Sequence, residues 1–230
     1  ALPIYNQVEL MVRGWEPAVE AALVKLTDEK RAAAMLVRYA PAFPPYYRTS
    51  YSTDEAALDM LGLLAMERDH SRTTRFTNDK ADDLRLKVYS QGGAMPLSDI
   101  VPVLENFGFD VLEEAPTALG GGELAYIHDF RLALRGQMDV TAFAKQKNII
   151  EQALSAVLDG EAENDSFNQL ISIASLDPQA VLWLRAWYRY LRQTGVNYSM
   201  ASVVAALAKN AAVTRSIVAL FAALHDPAFK

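Results

Sequence analysis

Residues 84–134 read LRLKVYSQGGAMPLSDIVPVLENFGFDVLEEAPTALGGGELAYIHDFRLAL, and this stretch decides the fold. It opens with Leu84, Leu86 and Val88 alternating against Arg85, Lys87 and Tyr89. A period of two predicts a strand with one buried face. Gly92-Gly93 then breaks the chain, and Pro96 leads into Leu97, Ile100, Val101, Leu104 and Phe107 at helical spacing. Gly108 stands where a helix takes a left-handed residue to end. A second strand is predicted at Phe109 to Glu114. Pro116 and Gly120 to Gly122 form the next turn, and a third strand runs from Leu124 to Leu134. Strand, helix, strand, turn, strand is an α+β arrangement, a small sheet with its helix on one face. Ser71 to Thr77, joined through Asn78 to Asp83, adds a fourth strand antiparallel to the first.

The flanks read as helix. Gln7 to Leu26 places Val8, Met11, Val12, Trp15, Val19, Ala22 and Leu23 on one face, with Pro17 in the first turn of a second segment. Thr27 is the expected N-cap of a helix ending near Arg38. Ala40 to Tyr51, APAFPPYYRTSY, reads as an apolar loop that packs on something. Ser52 and Glu55 form a capping box for a helix reaching about Glu67 that buries Ala57, Met60, Leu61 and Leu64. Beyond the sheet, helices are predicted at Ala142 to Leu158, Ser166 to Ser175, Gln179 to Gln193, Met200 to Ala208 and about Ala211 to Leu224. Asp177 before Pro178 is an N-cap followed by proline at the first helical position. The domain boundaries read as 1–68 for an N-terminal helical segment, 69–136 for the sheet and 137–230 for a helical bundle.

Composition narrows the function. The 230 residues are 51% hydrophobic, enough to bury a core. The absence of cysteine removes disulfides and thiolate chemistry and fits a reducing, cytoplasmic setting. The net charge is −6 without a Lys/Arg stripe, which argues against nucleic acid. There is no apolar run of about 18 residues, so no membrane span is expected. The N-terminus lacks a signal-peptide pattern. The chain opens at Ala1 rather than methionine, from which a piece of something longer is expected.

Catalytic chemistry finds little support. His70, His128 and His225 are scattered, so no metal set and no catalytic residues are assigned. His128 and Asp129 in YIHDF are neighbours on a strand and point to opposite faces, which makes both structural. The three glycines Gly120 to Gly122 lie between two strands, a hairpin rather than a phosphate loop. No G-x-G-x-x-G occurs, so no cofactor is expected in this chain. The acidic run Glu161 to Asp165 reads as a solvated connector. Trp183, Trp187, Tyr188 and Tyr190, at helical spacing, read as core packed on two sides. The turn Gly92, Gly93, Ala94 with Leu97 and Ser98 is the one effector candidate. A tight turn before a helix lets backbone N–H groups approach a ligand carboxylate.

The stretch GGAMPLSDIVPVLENFGFDV resembles the ACT-domain pattern of strand, glycine turn, helix, glycine and strand. That implies a ferredoxin-like, mostly antiparallel sheet. MPLSDIVPVLENFGFDVLEEAP, YIHDF, ENDSFNQLI, LRAWYRYLRQTGVNYS and, upstream, YYRTSYSTDEAALDM resemble the middle part of the large bacterial NAD-specific glutamate dehydrogenases. The likeness runs from about Trp15 to Pro227. It implies a parent oxidoreductase that converts glutamate to 2-oxoglutarate with NAD, whose catalytic lysine and nucleotide fold lie outside this chain. It further implies that this region either assembles the enzyme, with the rest of the parent chain and homo-oligomer partners, or senses an amino-acid effector through an ACT-type turn. Asp110 and Met95-Pro96 depart from ligand-binding ACT domains, which favours assembly. On that reading the Leu97 to Phe107 helix covers one sheet face, Ala142 to Leu158 covers the other, and the Gly93 turn has little room for a ligand.

Overall fold

The computed structural model describes residues 14–69, 71–80, 83–135 and 140–225. Four helices come first: α1 (Trp15–Leu26), α2 (Glu29–Tyr39), the short α3 (Pro45–Ser50) and α4 (Thr53–Asp69). Strands β1 (Arg72–Lys80) and β2 (Asp83–Ser90) follow, then α5 (Leu97–Asn106), β3 (Phe109–Leu119) and β4 (Ala125–Leu134). Helices α6 (Val140–Leu158), α7 (Gln169–Ile173), α8 (Pro178–Gln193), α9 (Met200–Lys209) and α10 (Ala211–His225) complete the described chain. The sheet is antiparallel, in the order β1-β2-β4-β3. Both hairpins therefore join neighbours, while α5 carries the chain past β4 to the far edge. Gln7, Val8, Met11, Val12 and His70 lie outside the described residues.

Several elements differ from their reading in the sequence. Asp28, not Thr27, caps α2, its carboxylate accepting from the Arg31 N–H at 2.9 Å. Thr27 instead ends α1, its N–H bonded to the Leu23 carbonyl. The segment 40–51 is helical, a 3₁₀ turn at Ala40–Ala42 followed by α3. Its aromatics continue a ladder from Trp15 of α1: Trp15 to Phe43 at 5.7 Å and Phe43 to Tyr47 at 4.7 Å, both tilted, then Tyr47 stacked on Tyr51 at 4.5 Å. Pro44 and Pro45 keep their missing N–H groups at the start of α3, where no intrahelical bond is owed. Strand β3 runs on through Pro116 to Leu119, because it is the outer strand and can tolerate a missing donor.

Two compact units emerge. One gathers the chain up to Arg75 with Lys87–Met95 and Glu114–Asp129; the other gathers Phe76–Leu86, Pro96–Glu113 and the chain from Phe130 onward. In the first, α1, α2 and α4 enclose Val19, Leu23, Met35, Tyr39, Met60 and Leu63, with Tyr89 and Ile127 supplied by strands. In the second, the rings of Phe76, Phe109 and Phe143 meet at 5.0–6.4 Å. Helix α6 packs there against α5, and Glu151 accepts from the Phe76 N–H at 2.6 Å.

This arrangement corrects the covering of the sheet. The side chains of Lys87 and Tyr89 are buried by α4, not by Ala142–Leu158. Strand β2 accordingly buries Lys87 and Tyr89 of its supposedly polar phase, as well as Leu84, Leu86, Val88 and Ser90. Trp183, Trp187 and Tyr188 are half-buried, the two indoles against Phe221 and the Tyr188 ring against Phe167, so the stripe packs on two sides without being fully enclosed, and Tyr190 is exposed.

Candidate functional site

Helix α4 carries Glu55 and Asp59 one turn apart, which puts both carboxylates on one face. Its start is half a capping box: the Ser52 hydroxyl accepts from the Glu55 N–H at 3.1 Å. The Glu55 side chain, however, reaches into the cluster rather than back to Ser52. Opposite lie Arg75 on β1 and Lys87 and Tyr89 on β2. These five residues and Tyr47 form one network.

Asp59 is fully buried and accepts four bonds, which fills the capacity of a carboxylate. Lys87 Nζ donates at 2.6 Å, Arg75 Nη2 at 2.6 Å and the Tyr89 hydroxyl at 2.7 Å, and the Tyr47 hydroxyl donates as well. Lys87, itself 1% exposed, also reaches Glu55 at 2.7 Å and lies 4.3 Å from the Tyr51 ring centre. Arg75 spans Glu55 at 2.6 Å and donates from Nε to the Tyr89 oxygen at 3.0 Å. Two cations face two carboxylates, so no net charge is buried, the condition on which such a cluster survives in a core. Burial, and next the Asp59 carboxylate, push the Tyr47 and Tyr89 hydroxyls well above the ordinary phenol range.

Gly62 reveals how tightly α4 approaches β2. A Cβ there would stand 2.7 Å from the Tyr89 ring. Glycine is required at this point of the helix by the ring behind it.

The glycine turn stands apart from this cluster. Gly92 and Gly93 have φ of 85° and 124°, and nothing lies within 4 Å of either Cβ position. Gln91, Gly92, Ala94, Leu97 and Ser98 are exposed. The turn is therefore open rather than covered by flanking helices. Ser90 donates to the Gly93 carbonyl at 3.2 Å, and the Met95 N–H points to His128 Nε2 at 3.4 Å. Leu97 and Ser98 begin α5, where N–H groups have no intrahelical acceptor.

His128 and Asp129 face different partners. His128 Nδ1 lies 2.8 Å from a Glu114 oxygen, whereas Asp129 accepts from the Tyr51 hydroxyl at 2.8 Å. Asp177 accepts from the Ala180 N–H at 2.7 Å and caps α8. Among the described residues no group of three or more His, Asp or Glu side chains is placed to hold a metal ion. The buried cluster escaped sequence reasoning because each member, taken alone, looks like a solvent-facing charge. The available signal was the pairing of two spacings: carboxylates at i, i+4 on a helix, and Lys and Tyr at i, i+2 on a strand.

The fold, four antiparallel strands with α5 set between helical flanks, defines an α+β module of ACT type. A family model described as the ACT3 domain of glutamate dehydrogenase matches residues 70–145. Models for helical motifs 2 and 3 of the same enzyme match residues 22–64 and 162–227. The chain is 31% identical over 222 residues to the NAD-specific glutamate dehydrogenase of Halomonas elongata, covering 95% of this chain and 14% of that protein. The Pseudomonas aeruginosa protein of the same name is 30% identical over 214 residues, 91% of this chain and 13% of that one. The Mycobacterium tuberculosis protein is 28% identical over 221 residues, 94% of this chain and 14% of that one. The chain belongs to the NAD-specific glutamate dehydrogenase family and corresponds to a region with an ACT-like domain between two helical motifs. It spans only 13–14% of the length of these curated relatives.

Proposed function

We propose that this chain is a non-catalytic regulatory and assembly region of a large, cytoplasmic NAD-dependent glutamate dehydrogenase. The parent enzyme oxidises L-glutamate with NAD to 2-oxoglutarate, ammonium and NADH. The region is organised as an N-terminal helical segment 1–68, an ACT-like domain 69–136 and a helical domain 137–230. Its partners are the rest of the parent chain and further copies of it. One observation carries the reading: Asp59, in the segment matching helical motif 2, is locked by Arg75, Lys87 and Tyr89, in the segment matching the ACT3 domain. A buried, neutral ion cluster between two segments fixes their register, a use to which such clusters are suited.

A second reading, amino-acid sensing at Gly92, Gly93, Ala94, Leu97 and Ser98, is favoured by the openness of that turn. One experiment separates the two. The 230-residue chain is screened by thermal shift and calorimetry against the common amino acids and NAD. Assembly predicts no saturable binding of either. A concentration-dependent rise in Tm with one amino acid, abolished by Gly93→Val, would establish sensing instead. Saturable NAD binding would overturn both.

A further inference from the structure

Pro178 to His225 contains five basic residues, Arg185, Arg189, Arg192, Lys209 and Arg215, and no acidic one. The rest of the chain holds 17 basic against 28 acidic side chains, so charge is segregated along the sequence. Within the second unit this basic segment forms α8, α9 and α10, and a groove of about 320 Å³ opens between them. Leu184, Trp187, Leu191, Val203, Leu207 and Ile217 line it, with Arg192 and Tyr198 among its polar-ended walls. Leu191 and Ile217 are 47% and 44% exposed, and the Tyr188 hydroxyl is turned to the Tyr198 carbonyl at 3.3 Å. Large apolar side chains thus stand in water beside the Arg192 guanidinium, while Arg185 and Arg189 are paired with Asp165 and Glu163.

We propose that this groove docks an amphipathic protein helix whose polar face is acidic. The concave form is the first reason. A channel between helices accepts about three apolar side chains at i, i+3 or i+4 and i+7 of a partner helix, whereas lipid binding takes an apolar helix face that projects into the bilayer interface. The charge is the second. Arg192 is the one charged side chain in the lining, and α8 to α10 hold no carboxylate, so a helix bearing Glu or Asp meets attraction there and a basic one repulsion. Membrane insertion is the competing occupant. Among the described residues no single helix is long and apolar enough to cross a bilayer, and α9 with α10 satisfies the composition only as a pair bent by 99°. This inference stands independently of the role proposed for the Asp59 cluster.

The test uses the 230-residue chain and two synthetic helical peptides with the same Leu face, one with Glu and one with Lys on the polar face. Binding is read from Trp187 fluorescence and peptide anisotropy. The acidic peptide binds at least tenfold tighter than the basic one at low ionic strength, and added salt narrows the ratio. Leu191→Glu, at an exposed position, weakens the acidic peptide at least tenfold while the circular dichroism spectrum is retained. Arg192→Glu, which leaves the apolar floor intact, moves the preference toward the basic peptide. Equal binding of the two peptides, or none, would overturn the proposal. So would tighter partition into phosphatidylserine vesicles than onto the acidic peptide, which would assign the face to a membrane. A dimer dissolved by Leu191→Glu in light scattering would assign it to a second copy.

Discussion

Asp59→Asn tests the buried cluster most directly. The asparagine keeps the size of the side chain but replaces one acceptor oxygen with a donor amide. Of the four bonds that Asp59 accepts, the two on that oxygen are lost, and two donors are left facing an N–H₂. A hydrogen bond to a charged group contributes about 1.5–3 kcal/mol, so two amount to about 3–6 kcal/mol. The same change leaves Arg75 and Lys87 with only Glu55 between them, an uncompensated buried charge that costs about 3–5 kcal/mol when measured elsewhere. The two routes agree. Glu55 is 20% exposed, so water relieves part of the imbalance and the lower end, about 3 kcal/mol, is expected. Trp15 is the tryptophan of the first unit, so a Trp183→Phe/Trp187→Phe background isolates its signal. At a slope of about 2 kcal/mol/M, the urea midpoint of Trp15 fluorescence falls by roughly 1.5 M or more. The combined Asp59→Leu/Lys87→Met variant removes one charge of each sign and loses less than the sum of the two single changes. A midpoint for Asp59→Asn within about 0.3 M of the parent, well under the shift derived above, would show that the cluster is not closed as described.

Three further outcomes follow from the same geometry. Tyr47 and Tyr89 hold their protons more tightly folded than unfolded, so the stability they contribute is complete below the unfolded phenol pKa near 10 and is lost as pH rises above it; alkaline titration at 295 nm should show two phenols ionising only with unfolding, and Tyr89→Phe should flatten the loss of stability above pH 10. Gly62→Ala, which in an open helix would stabilise by about 1 kcal/mol, should instead cost about 1–3 kcal/mol because Asp59 and Arg75 pin the ring it meets; a raised Tm would refute the close approach. Asp177→Ala removes the bond to the Ala180 N–H and should cost about 1 kcal/mol, read as a lower thermal midpoint from Trp183 and Trp187 fluorescence.

Period and punctuation in the sequence determined the α+β class, the order of strands and helices after Ser52, and the ends of α5 and α8. Those are local properties: alternation of side chains along a strand, glycine at Gly108, and a carboxylate at Asp177 facing exposed N–H groups. The long ordered motifs were also sufficient to indicate the family. Where the sequence misled, the cause was non-local. Lys87 and Tyr89 occupy the polar phase of an alternating strand, and alternation alone assigns that phase to water. Only the approach of α4, made possible by Gly62, turns it into a core face, because the carboxylates that neutralise Lys87 and Arg75 lie 16–32 residues away. Tertiary structure likewise decided that 40–51 is an aromatic ladder rather than a loop, since Trp15 and Phe43 must meet before α3 has anything to pack against. It also decided that Trp183 and Trp187 are half-covered, by Phe221, while Tyr190 stays in water. Helical spacing says which residues share a face, but only the neighbours that arrive, or fail to, determine whether that face is buried.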